Sequence, residues 1–133
     1  MIDLLALQEL CALNYQRMRL LLQGRAALRA RLPGTWGEID LQAERLSPHT
    51  SSITLHWRRP DLAWWPQAGW SLHMYHDAAM LEVRAVGERR DFLVRHAQPH
   101  PHGYARDEKW QVNHFLAEML QQALRHDVRV ALA

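Results

Sequence analysis

Along residues 4 to 31 the apolar side chains Leu4, Leu7, Cys11, Met18, Leu21 and Leu28 recur at steps of three and four, which places them on one face of a helix. Asp3 is positioned to cap this helix and Pro33-Gly34 to end it, with Gly24 loosening its last turns. Asn14 and Arg25 interrupt the stripe and need polar partners if the fold buries them. Beyond Pro33-Gly34 the period drops to two. Ile39, Leu41 and Ala43 alternate with Asp40, Gln42 and Glu44, and after the turn at Ser47-Pro48-His49 the residues Ile53, Leu55 and Trp57 alternate with Thr54, His56 and Arg58. Residues 60 to 69 carry two prolines and a glycine and predict a long connection. Three further strands are expected over 70–76, 79–86 and 89–96, then a Pro/His/Gly loop over 97–104. Val112, Phe115, Leu116, Met119, Leu120 and Ala123 return to helical spacing over 107–126, and Val128, Val130 and Leu132 are either a short last strand or a frayed tail.

This order predicts an α+β fold: an antiparallel sheet of about five strands, arranged as a meander and flanked by an N-terminal and a C-terminal helix. The expected core includes Leu7, Met18, Ile53, Leu55, Val83, Phe115 and Met119. No repeat or linker divides the chain, so residues 1–133 are read as a single domain.

Composition narrows the setting. With 48% hydrophobic and 23% charged residues the chain is of ordinary globular type. The single Cys11 excludes an intrachain disulfide framework and any zinc site built on several cysteines, which favours a reducing compartment. Gln8, Glu9, Asn14 and Arg17 break up the N-terminal leucines, so neither a signal peptide nor a membrane span is expected, and the expected localisation is cytoplasmic. A net charge of +2 does not by itself imply nucleic-acid binding, although a pI near 9.1 leaves room for a local basic patch. Fifteen of the sixteen basic residues are Arg, a bias that a GC-rich genome produces without selection on chemistry.

Three segments resemble one family. Leu10-Cys11-Ala12-Leu13-Asn14-Tyr15 with Met18-Arg19 and Leu21-Leu22, then Tyr75-His76-Asp77-Ala78 with Glu82-Val83, then Arg106-Asp107-Glu108-Lys109 with Gln111, Asn113, Phe115, Leu116 and Ala117 are similar, in order and spacing, to the YqiB-like proteins of Gram-negative bacteria, a family of unknown function. The resemblance implies a bacterial cytoplasmic protein, often encoded near enzymes that hydrolyse ADP-ribose and cyclic AMP, and it implies no established activity.

Read from the residues, Arg106-Asp107-Glu108-Lys109 is first a helix start, with carboxylates in the positive first turn and Arg106 four residues before Trp110; its functional reading is a grip on a polar ligand or partner. His76-Asp77 is similar to the adjacent metal ligands of phosphohydrolases, but it falls at a strand end without further His and Asp ligands on helices. Asn14, His76, Asp77, Arg106 and Asp107 are expected to meet at one end of the sheet. His96, His100 and His102 form a loose surface loop, and no metal or cofactor is expected. Cys11 sits on an apolar stripe as a small hydrophobe. No nucleophile elbow, phosphate loop or dinucleotide fingerprint is present, and no catalytic residue is assigned.

Arg58 and Asp61 form an Arg-x-x-Asp pattern of the kind that addresses cyclic di-GMP, with Trp57, Trp64 and Trp65 as stacking candidates; about one such match is expected by chance. The functional expectation is a non-catalytic regulatory or adaptor protein that takes a nucleotide or cyclic dinucleotide ligand and a protein partner. The alternative is a metal-assisted phosphoester or nucleotide hydrolase using His76, Asp77, Glu82, Asp107 and Glu108. A weaker one is nucleic-acid binding through Arg17, Arg19, Arg25, Arg29 and Arg31.

Overall fold

Helix α1 spans Leu4–Leu22 and stops where the backbone turns left-handed at Gln23 (φ 51°) and Gly24 (φ 79°). Gly24 is the natural residue for that turn, because glycine alone enters the left-handed region without a Cβ clash. The computed structural model describes residues 4–62, 69–87, 89–90, 104–125 and 130–131. The expectation that the first helix continues to residue 31 is corrected here: Ala27–Arg31 is strand β1, with Leu28 and Ala30 buried and Arg29 and Arg31 exposed. Leu28 satisfied both periods, since it lies seven residues after Leu21 and also alternates with Arg29 and Arg31.

The remaining strands are β2 (Glu38–Ser47), β3 (Thr50–Arg58), β4 (Trp70–Tyr75), β5 (Met80–Val86), β6 (Arg89–Arg90) and β7 (Val130–Ala131), and helix α2 spans Tyr104–Arg125. All neighbouring strands pair antiparallel in the order β6-β5-β4-β3-β2-β1-β7, so the meander is extended at each edge by a two-residue strand. The five longer strands carry the α+β architecture. Of the expected strand over 89–96, residues 91–96 lie outside the described residues, as do the loop over 97–103 and the histidines His96, His100 and His102.

One sheet face is apolar because the strand period of two is kept in register across the sheet: Ala30 pairs with Ile39, Leu41 with Leu55, Ile53 with Leu72, and Leu72 with Val83. Both helices close over this face. Tyr15, Met18, Leu21 and Leu22 of α1 and Leu116, Met119, Leu120 and Ala123 of α2 share one core with it. Full burial of each such Leu stabilises the fold by about 1.5–3 kcal/mol. The expected core residues Leu7, Met18, Ile53, Leu55, Val83 and Met119 are buried, and Phe115 packs half-buried against them.

The other face is polar. Arg29 pairs with Asp40 (3.4 Å), and Arg31 and Arg58 both pair with Glu38 (2.9 and 3.2 Å), which together hold the Glu38 carboxyl below its usual range. At one sheet corner Trp36 stacks on Trp57 (centroids 6.2 Å apart), and the Arg59 guanidinium lies 4.9 Å from the Trp36 ring. Gly37 permits this corner: a Cβ there would stand 1.8 Å from the Arg58 carbonyl oxygen.

Candidate functional site

Consecutive residues on a helix point about 100° apart, and at Asn14-Tyr15 that angle separates two polar networks. Asn14 turns toward α2, where its Nδ2 donates to the Asn113 carbonyl (3.0 Å) and its Oδ1 accepts from Arg17 Nη1 (3.2 Å). Asn113 in turn accepts from the Val83 N–H (3.3 Å) and donates to the Lys109 carbonyl (2.8 Å), so two fully buried asparagines tie α1, α2 and β5 together.

Tyr15 turns instead to the end of the sheet, where β4 runs out into a turn at His76. The His76 N–H donates to the His49 carbonyl in the β2–β3 hairpin (2.8 Å), which fixes the ring beside β3. Its Nδ1 lies 2.9 Å from the Tyr15 hydroxyl and its Nε2 lies 2.8 Å from Ser51 Oγ. Hydroxyls donate or accept as required, so a neutral imidazole is satisfied at both nitrogens in either tautomer. Burial lowers the His76 pKa first, followed by the nearby Arg45 and Arg19, and Asp77 opposes them. Arg45 stands opposite Ser51 across the β2–β3 ladder, and the Arg19 guanidinium lies 5.9 Å from the Tyr15 ring centroid. Among the described residues neither Arg19 nor Arg45 enters an ion pair. The site is therefore a neutral imidazole between two hydroxyls, with two arginines and His49 around it and Asp77 as its nearby acid.

Of the five predicted ligand residues, Arg58, Asp61 and Trp57 lie among the described residues, and each has partners within the fold. Arg58 pairs with Glu38, and Asp61 is held by Arg59 at 3.3 Å, so Arg58 and Asp61 serve different partners. The Trp57 ring is no open platform: it is 2% exposed, with its Nε1 donating to the Trp36 carbonyl (2.8 Å). It sits in the inward phase of β3 with Ile53 and Leu55. Trp64 and Trp65 lie outside the described residues.

The motif residues divide likewise. The Tyr75 hydroxyl accepts from Arg84 Nη1 (3.0 Å) and approaches His73 Nδ1 (3.4 Å). Burial, then Arg84, lowers the His73 pKa, against Glu82. Asp77 is exposed in the β4–β5 turn, its Oδ1 accepting the Ala78 N–H (3.0 Å). Lys109 pairs with Glu82 at 3.8 Å, and Glu108 is half-buried near the start of α2. Arg106 and Asp107 belong to the first turn of α2, and their side chains lie outside the described residues. Asn14 and His76 thus belong to separate networks. Among the described residues no three His, Cys, Asp or Glu side chains gather as metal ligands would. Burial, followed by Glu82, pushes the Cys11 thiol up to about 12, with Lys109 opposing.

Ser51 and Arg45 were not singled out from the sequence, and Asn113 entered there only as part of the third resembling segment, without a role. Their signal was phase: Ser51 falls in the inward register of β3, and Asn113 falls in the α2 stripe, as Asn14 does in α1.

A family profile described as "Protein of unknown function (DUF1249)" matches residues 16–129. Proteins titled "Uncharacterized protein YqiB" from Escherichia coli K12 and from Escherichia coli O157:H7 are each 28% identical over 131 residues, covering 93% of this chain and 90% of theirs. No solved structure matches the chain.

Proposed function

Because this chain belongs to the bacterial DUF1249 family, whose YqiB relatives carry no reaction in their names, we propose a role from the site itself. The protein is a non-catalytic regulatory or adaptor protein that binds a phosphate-bearing ligand of the nucleotide class at the His76 end of the sheet. The observation that carries this reading is the pair of arginines, Arg19 and Arg45, beside the Tyr15–His76–Ser51 network and outside any ion pair among the described residues. Guanidinium groups match phosphate oxygens in a bidentate fork, and the two hydroxyls and the imidazole supply further hydrogen bonds. Cyclic di-GMP falls in this class through its phosphates. At Arg58 and Asp61 it would first have to displace two existing ion pairs.

A thermal-shift and calorimetric series with mononucleotides, cyclic di-GMP and inorganic phosphate tests the reading. A ligand at 100 times its Kd stabilises the fold by about 2.7 kcal/mol. Arg19→Ala and Arg45→Ala, both at exposed positions, should each weaken binding about tenfold or more while leaving the unliganded Tm in place. Absence of a shift with every phosphate compound, or binding indifferent to both substitutions, removes the reading.

One observation favours an enzymatic second reading: Ser51 Oγ, His76 Nε2 and the Tyr15 hydroxyl stand in the order nucleophile, base, orienting group. Ser51 is only 9% exposed, which places this reading second. Covalent labelling by a fluorophosphonate probe, abolished in Ser51→Ala, would promote it.

A further inference from the structure

A histidine held between two hydroxyls changes what those hydroxyls offer when it takes a proton. With His76 neutral, the ring nitrogen that carries a hydrogen donates to one hydroxyl and the bare nitrogen accepts from the other. Of the hydroxyl protons on Tyr15 (2.9 Å from Nδ1) and Ser51 (2.8 Å from Nε2), one is therefore tied to the ring. With His76 protonated, both nitrogens donate, both hydroxyls accept, and both hydroxyl protons are released to another acceptor. The added proton comes from solvent onto the bare nitrogen, and no other bond breaks. Burial opposes a charge on the ring most, followed by Arg45 of β2 and Arg19 of α1; Asp77 of the β4–β5 turn favours it, and His49 of the β2–β3 turn opposes it. An oxyanion held by the two guanidiniums neutralises charges that otherwise exclude the proton.

On the premise that phosphate binds at this end of the sheet, we propose that the site takes its oxyanion and one proton together, the proton on His76, so that acidification tightens binding. The anion and the proton then stabilise each other. The factor by which the bound anion raises the proton affinity of His76 equals the factor by which the proton raises the affinity for the anion. Both the charge and the donors change in the same direction, since the protonated site gains a positive ring and a second free O–H. His49 differs in this respect. It meets His76 through its backbone carbonyl, which accepts from the His76 N–H (2.8 Å), so a proton on the His49 ring adds charge without releasing a hydroxyl. His76 is thus the group that sets ligand occupancy over the range in which histidine titrates.

Sulfate is the probe, because it stays a dianion between about pH 5 and 8, so any pH dependence of its binding belongs to the protein. Proton NMR on the full chain follows the His76 ring, assigned by its proximity to the Tyr15 ring (centroids 5.8 Å apart). From pH 8 to 5 the affinity for sulfate should rise toward tenfold, and saturating sulfate should move the His76 titration midpoint up by about one unit, the same coupling read from the other side. In His76→Gln the affinity should be level across this range, whereas His56→Gln, on the other face of the sheet, should keep the rise. The midpoint is read in the parent chain, so it decides the case even where His76→Gln folds poorly. Sulfate binding independent of pH, a His76 midpoint indifferent to sulfate, or a rise that survives in His76→Gln overturns the proposal, and so does an absence of sulfate binding. Whether phosphate compounds bind through Arg19 and Arg45 at all is decided separately by Arg19→Ala and Arg45→Ala at pH 7.5.

Discussion

At the scale of single residues, most of the chemistry lies in who occupies whose lone pairs. His76 has a folded-state pKa below its ordinary value of about 6.5, so the unfolded chain binds the proton more tightly. Its contribution is therefore complete above about pH 7 and is lost as pH falls through 6.5 toward the depressed value. Denaturant titrations from pH 7.5 to 5 should show stability falling with pH and a shallower fall in His76→Gln, with the residual slope left by His73, whose pKa is also lowered. Cys11 behaves as the apolar stripe implied: with its pKa near 12 it stays a thiol, and a thiol reagent at pH 8 should label it only when denaturant unfolds the chain. Asn113 was in view as part of a resembling segment, but its buried role was not, because a pattern of apolar positions does not distinguish a buried asparagine from a surface one. Replacing it with Leu strands the Val83 N–H and should cost about 1–3 kcal/mol, read as a shift in denaturation midpoint at constant m-value.

At the scale of elements, the strands from β2 to β5 were legible because alternation and turn residues agree along them, as at Pro48-His49 and His76–Ala79. The boundary between α1 and β1 was not. Residues 25 to 32 are rich in Ala, Leu and Arg, all good helix formers, and what makes Ala27–Arg31 a strand is its pairing with Glu38–Gln42, which lies in tertiary structure. The candidate site was legible only as separate motifs: Tyr15 and His76 were in view, while Ser51 and Arg45 join them through strand register alone. Gly37 gives this scale its prediction. It combines φ 88° with a Cβ position 1.8 Å from the Arg58 carbonyl oxygen, whereas Gly34, at φ 60°, has nothing within 4 Å. Gly37→Ala should therefore destabilise by well over the ~1 kcal/mol expected for Gly34→Ala, a difference that paired thermal melts resolve.

At the scale of the whole molecule, the two helices that cover the sheet come from opposite ends of the chain. The bond between Asn14 and Asn113 spans 99 residues, and the apolar face of a five-strand meander lies between its partners in sequence. During synthesis, at about 5–20 residues per second, that face emerges with only α1 to shelter it until α2 leaves the ribosome. Chain entropy opposes early closure of so long a loop, so folding should be slow for a domain of this size, with contacts between α1 and α2 forming late. Substitutions at that helix pair, such as Asn113→Leu, should then act mainly on the unfolding rate and leave the folding arm of the chevron nearly unchanged. A nascent chain halted before α2 holds Leu55, Leu72 and Val83 open to neighbours and is a natural client for a chaperone.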